Sequence, residues 1–391
     1  MPRSVKLASM LGWGATALLA PGAVAAQQAE RPVVFDLRYK ADVLAVAAGG
    51  VRHGVRYLDN LDATMAVDLD RVAGVPKTQA FVYLLYNNGT SFSSTLAGDA
   101  QIVSSIETGV QAVRLYEAWV EHGDARLSAR AGLYDVNSEF DALTASMLFV
   151  HSGHGTGTDI SQTGNNGPSI FPVTAPGLRV QGMAGERVTL RAAVLGGTPG
   201  NPAHPGRTVV TLRPRDGVFA IAEADWRIGH ARLIAGTWRY TARFALHTAD
   251  DARAPARGGG NAGVYLRGEA RVAGSAARPV SAFFRLGTAA GRFNLFDRFA
   301  SIGINAQGVA APGGQDELGF AIAHARTAGA ARAVARDVAD SETVFELTYR
   351  TPLTAHLSIQ PDLQYVVDPS ASRRQRDVLV VGVRFEMTLR R

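Results

Sequence analysis

Sixteen runs that alternate apolar and polar side chains constrain this chain more than any other feature of it. They lie near 33–46, 55–70, 77–87, 111–122, 125–134, 177–185, 187–196, 217–229, 231–241, 261–273, 279–289, 298–307, 315–326, 342–351, 354–366 and 377–389. A two-residue period puts alternate side chains on opposite faces of a strand. The runs have roughly the 9–11 residues that a tilted strand needs to cross a bilayer. The links between them sort by length. The even links are mostly tight: His122-Gly123-Asp124, Gly185-Glu186, Gly229-His230 and Thr351-Pro352-Leu353. The odd links are mostly long: 88–110, 135–176, 197–216, 242–260 and 327–341. An up-and-down barrel with turns on one rim and loops on the other produces this sorting; a soluble sandwich has no reason to.

The alternation also says which face meets water. In 342–351, Phe345, Leu347 and Tyr349 oppose Glu346, Thr348 and Arg350; in 261–273, Val264 and Leu266 oppose Arg267 and Glu269. A sixteen-stranded barrel encloses a lumen too wide for side chains to fill, so the polar face must line it and the apolar face must meet lipid. Aromatic residues near run ends, Tyr83, Tyr86, Trp226, Trp238, Tyr240, Phe296, Phe299, Tyr349 and Tyr365, are expected to form the interfacial girdle. The expected fold is therefore all-β: a transmembrane antiparallel β-barrel of 16 strands, with both termini on the periplasmic side.

Residues 1–26 read as a signal peptide, with Arg3 and Lys6 ahead of an apolar core (Leu7 to Ala20) and small residues at Ala23-Val24-Ala25-Ala26. Residues 27–391 would then be one barrel domain. Beyond the leader no run of 18 apolar residues occurs, although 47% of the chain is hydrophobic. The chain has no cysteine, so disulfides and thiolate metal sites are excluded. Of its 40 basic residues only Lys6, Lys40 and Lys77 are lysines, leaving 37 arginines. These are scattered along strands, not clustered, which argues against a nucleic-acid surface. Arginine does suit fixed, planar contacts to hydroxyls and anions.

The longest link, about 135–176, is rich in Gly, Ser, Thr and Asn yet carries Phe140, Phe149, Phe171 and three prolines. That composition suits a folded loop, expected here to enter the lumen and constrict it. The expected solute pathway combines its Asn137, Glu139, Asp141, Asp159, Gln162, Asn165 and Asn166 with the wall residues Arg126, Arg130, Arg239, Arg267, Glu269, Arg285 and Arg384. Arg271, Glu117, Glu223, Asp225, Glu346 and Asp362 are placed inward by the same phases. Mixed charges offer donors and acceptors to hydroxylated solutes, whereas a strict anion channel would carry fewer carboxylates. Taken singly, each of these arginines reads more readily as a solvated wall residue; together they mark a selectivity region.

Enzyme chemistry is poorly supported. His151 and His154 have metal-like spacing near Asp159, but Gly153, Gly155 and Gly157 exclude the helix that would align them. Gly153–Thr158 is glycine-rich without the strand and helix of a phosphate cradle. Ser152 or Ser161 beside a histidine would suit a barrel-embedded hydrolase, but no third partner is evident. The plainer expectation for all of them is hydrogen bonding within the loop. No metal or other cofactor is implied.

At this loop the sequence resembles the carbohydrate-selective porins of the OprB type. The motifs are Gly132–Asp141 (GLYDVNSEFD), His154–Thr174 (HGTGTDISQTGNNGPSIFPVT), Gly263–Ala270 (GVYLRGEA), Glu346–Arg350 (ELTYR) and Gln360–Tyr365 (QPDLQY). The resemblance implies a Gram-negative outer-membrane barrel for passive, selective diffusion of carbohydrates, monosaccharides such as glucose. Its partners would be small-molecule sugars, outer-membrane lipid and the barrel-insertion machinery, and it would act as a homotrimer or a monomer. A general or anion-leaning diffusion porin, and a barrel-embedded hydrolase, are the alternatives. Such barrels usually end on an aromatic residue read by the insertion machinery. This chain ends Leu389-Arg390-Arg391, and Gly382–Met387, with Phe385, is the stretch that could serve instead.

Overall fold

The computed structural model describes residues 31–247, 256–311, 313–335 and 337–390; the leader expected at 1–26 lies outside them. Sixteen strands close into one antiparallel barrel. They are β1 (Val33–Ala48), β2 (Gly54–Asp68), β3 (Thr78–Asn88), β4 (Gln111–Gly123), β5 (Leu127–Tyr134), β6 (Ala175–Ala184), β7 (Val188–Gly196) and β8 (Val218–Ile228). They continue as β9 (Ala231–Tyr240), β10 (Ala262–Gly274), β11 (Pro279–Ala289), β12 (Phe296–Gln307), β13 (Glu317–Thr327), β14 (Ser341–Pro352), β15 (Leu357–Val367) and β16 (Val378–Arg390). Closure comes from β1 pairing with β16, from Asp36 opposite Arg390 to Ala48 opposite Leu379. Phe244–Ala245 and Arg257–Gly258 form a separate short ladder inside the β9–β10 loop.

Every expected strand is present, and the links mostly alternate in length, with exceptions that include the short links 49–53 and 290–295 on the long-loop rim. At the tight rim Gly185 (φ +71°) in the three-residue hairpin 185–187 and Gly229 (φ +59°) in the two-residue hairpin 229–230 occupy the left-handed region that such tight turns use and that side-chain-bearing residues rarely adopt. Side chains alternate along the walls. On β14, Glu346 and Thr348 are buried inward while Leu347 is 45% exposed on the outer surface. On β15, Gln360, Asp362 and Gln364 point in and Leu363 and Tyr365 point out.

The girdle expectation needs correction. Trp226, Tyr349 and Tyr365 lie on the outer wall, but Tyr83, Trp238, Tyr240, Phe296 and Phe299 are buried inside. Trp238 and Tyr240 join Phe219, Phe140 and Ile160 in one apolar cluster that seats the long loop on the wall. Aromatic area is used there for packing a loop, not for meeting headgroups. Arg239 lies between those two aromatics and is exposed on the outer face, so its expected lumen position is wrong by one step of the alternation. Arg126 is also misplaced. It sits exposed in the tight β4–β5 turn, its N–H donating to Asp124 Oδ1 at 3.0 Å.

Candidate pore site: an anchored loop inside the barrel

The loop 135–174 leaves β5, lies against the inner wall and returns to β6. A carboxylate cap starts it: Asp135 accepts from the Asn137 N–H at 2.8 Å, setting up a single 3-10 turn. Burial is the main influence holding the Asp135 carboxyl up at about 6. Asn137 stays within the loop, its Nδ2 donating to the carbonyls of Phe140 and Asp141.

Three groups of inward side chains hold the loop. At its base, the Arg179 guanidinium forks onto Glu139, with Nε and an Nη each 2.9 Å from a carboxylate oxygen. Arg130 ion-pairs with Glu121 at 2.6 Å and lies 3.7 Å over the Trp119 ring. Burial raises the Glu139 carboxyl, but Arg130 and Arg179 more than offset it and leave it below the ordinary range. In the middle, Arg267 and Arg285 converge on Asp141, and Arg285 also reaches Asp159 at 2.5 Å. Asp159 is held above the ordinary range by burial, against the pull of Arg285. Arg267 further donates to the Gly155 carbonyl at 2.9 Å.

The third group runs from β10 and β12 to β14 and β15. Glu346 accepts from the Val150 and His151 N–H groups at 2.6 and 3.2 Å, and Gln360 donates to the Leu148 carbonyl at 2.6 Å. Glu269 accepts from Ala145 N–H at 2.8 Å and Asn305 donates to its carbonyl at 2.9 Å. His151 and His154 are buried here. Burial pushes His151 down to about 3, and burial, His151 and Arg267 push His154 well below its usual value. Among the described residues no group of three or more His, Asp or Glu converges to hold a metal.

A second inward loop was not legible in the sequence. The link 89–110 packs Phe92, Leu96, Val103 and Ile106 against the inner wall near β1, β14, β15 and β16. Arg384 is part of its attachment: it pairs with Asp42 at 2.7 Å, and Asp42 accepts from Ser104 Oγ at 2.6 Å. The two loops are joined where Ser105 N–H donates to the Val150 carbonyl at 2.8 Å and where Gln162 donates to the Ala100 carbonyl. Asn165 and Asn166 are exposed, Asn166 donating to the Pro199 carbonyl at 2.7 Å in the β7–β8 loop. Expected site residues thus divide into buried anchors (Arg130, Glu139, Asp141, Asp159, Arg267, Arg285, Arg384) and exposed loop residues (Gln162, Asn165, Asn166), with Glu269 half-buried between.

Beneath the loop, on the tight-turn side, a cavity of about 350 Å³ is bounded by Met147 and Leu148 above and by Arg227, Arg232, Glu269 and Arg271 around it. Arg227 was missed although it continues the inward phase of Glu223 and Asp225 on β8.

A closed sixteen-stranded barrel whose loops fold back onto its polar inner face is an outer-membrane diffusion porin. The family model of the carbohydrate-selective porins, OprB family, matches residues 52–389. The chain belongs to that family. Porin B of Pseudomonas aeruginosa is 22% identical over 405 residues, covering 91% of this chain and 87% of the relative. The high-pH structure of Pseudomonas putida OprB superposes with a TM-score of 0.81 at 17% identity, covering 94% of this chain and 97% of that one. An anion-selective porin from Comamonas acidovorans shares the fold more loosely, with a TM-score of 0.53 at 11% identity over 91% of this chain and 99% of that one.

Proposed function

We propose that this porin passes small neutral carbohydrates, monosaccharides such as glucose, down their gradient, and that loop 135–174 narrows the bore and sets the selectivity. The observation that carries the reading is the anchoring of that loop to inward side chains of β6, β10, β11, β14 and β15 by hydrogen bonds, all but the Gln360 bond on β15 charge-assisted. A loop fixed at so many points holds an aperture of constant shape, which selection by size and hydroxyl pattern needs. The buried anchors position the aperture. Solute contact falls to half-exposed inward groups such as Glu269, Arg232 and Arg271, which line the cavity beneath it. Passive transfer breaks no bond, so the chain acts as a channel and not as an enzyme.

Liposome swelling tests this. Glucose should enter proteoliposomes faster than a neutral disaccharide and faster than a charged solute of similar size. Entry ordered by size alone would remove the selectivity. No swelling, together with ester hydrolysis lost in Ser152→Ala or Ser161→Ala, would replace the channel by a hydrolase.

A further inference from the structure

The outer wall carries a feature that the pore does not use. Between β9 and β13, near the long-loop rim, a groove of about 790 Å³ runs over the small residues Ala235, Gly287 and Ala300 and between the side chains of Val264, Leu266 and Leu286. Val264 and Leu286 are 55% and 51% exposed there, on the face that meets lipid.

Cations border this groove. Arg298 lines it and is exposed on the outer face, with no hydrogen bond or ion pair among the described residues. Arg326 lies directly across from Arg298 and is paired with Asp297 at 2.8 Å. Arg239, on the same outer face, lies one alternation beyond Thr237, which pairs with Val264. It too has no partner among the described residues. The path of paired positions Thr237–Val264–Thr288–Arg298 crosses three strand gaps, about 14 Å at ~4.8 Å per gap. Both free guanidinium groups sit within three residues of their strands' long-loop ends, and in this class of barrel the long loops face the cell exterior.

We infer that this groove binds a phosphate-bearing lipid of the outer leaflet. One acyl chain would lie along Val264, Leu266 and Leu286, and phosphates would meet Arg298 and Arg239. An uncompensated arginine on a lipid-facing wall is unfavourable unless it reaches the headgroup layer, and a phosphate supplies the bidentate partner that a guanidinium fits. The apolar trough and the cations above it match the two halves of one amphiphile.

Native mass spectrometry of the full-length protein tests the inference, with diphosphorylated lipid A, the same lipid stripped of phosphates, or phosphatidylethanolamine added at equal concentration. The diphosphorylated lipid should be retained about tenfold or more over the other two. Arg298→Ser combined with Arg239→Ser should remove that preference, whereas Arg126→Ser, on the opposite rim, should keep it. The wild-type comparison among lipids stands even if the double variant folds poorly. Equal retention of the phosphate-free lipid, undiminished preference in a folded double variant, or occupation of the groove by a second copy of the chain would overturn the inference.

Discussion

Arg267 and Arg285 lie directly opposite one another on β10 and β11, both fully buried. Like charges facing each other across two strands are destabilising. The Asp141 carboxylate resolves the conflict: its Oδ1 accepts from Arg267 Nη1 at 3.0 Å and from Arg285 Nε at 2.9 Å. Asp141 reaches that point from a left-handed backbone conformation, φ +51°, which the two guanidinium groups repay with charge-assisted bonds. The loop is thus locked where its absence would be most costly to the wall.

Asp141→Asn should therefore release the loop. It leaves the buried Arg267 without a carboxylate and Arg285 with Asp159 alone, and breaking a buried pair from one side costs about 3–5 kcal/mol. Limited proteolysis should cut within 140–160 in the variant and not in the wild type, and single-channel conductance should rise. Arg267→Met added to Asp141→Asn should recover part of the loss, because it removes one of the opposed charges. Unchanged proteolysis and conductance would mean that Asp141 does not hold the loop.

Gly287 makes the same lock testable without altering charge. A Cβ there would lie 2.0 Å from Asp159 Oδ2 and 2.6 Å from Arg285 Nη1. Gly287→Ala should push the Asp159–Arg285 pair apart and cost about 1–3 kcal/mol, the usual penalty for overpacking. Gly185→Ala, with open space around it but φ +71°, should cost less. Heat-induced loss of barrel migration on gels, measured for both, reads the order; the reverse order would contradict the close packing at Gly287.

The buried histidines predict a pH dependence with a definite sign. In the folded loop His151 titrates at about 3 and His154 well below its usual value, both chiefly through burial. In an opened loop they would titrate near ~6.5, so between those values the open form binds more protons. The closed loop should lose stability as pH falls below about 6.5, by up to ~1.4 kcal/mol per pH unit per histidine, and should be at full strength above it. Hydrogen-exchange protection factors at 150–158, which remove the pH dependence of the intrinsic exchange rate, should fall from pH 7.5 to 5.5 in the wild type. The change should be reduced in His151→Gln with His154→Gln; an equal change would assign it to carboxylates.

The barrel was legible because its signal is local: a period of two, with link lengths that alternate. The function of individual charges was not. Arg285 meets Asp159, 126 residues away in the chain, so nothing in the sequence near either residue shows that the arginine anchors a loop instead of facing solute. Arg239 was misplaced because β9 carries Leu233 and Ile234 side by side and turns Trp238 and Tyr240 inward against the loop. The inward fold of 89–110 gave no sign either, since its apolar residues are spaced without a period. The sequence motifs that carry the family resemblance surround these anchors: Asp141, Asp159, Arg267 and Glu346 all fall within them.

The cavity beneath the loop makes the last prediction. Arg232 there is paired with Asp225 at 2.7 Å, whereas among the described residues Arg227 has no carboxylate partner and Arg271 meets only His230 Nε2, at 2.7 Å. Arg227 and Arg271 therefore add net positive charge next to the aperture, on the tight-turn side. A charge about 4 Å from a passing ion is worth ~1 kcal/mol in water-like surroundings. Arg227→Ser with Arg271→Ser should lower the anion-to-cation permeability ratio roughly fivefold, read from the reversal potential in a salt gradient across a planar bilayer. Glucose entry should change far less, because a neutral solute does not sense that potential. If the ratio stays fixed while glucose entry collapses, these two arginines contact sugar directly and the charge at this mouth does not steer ions.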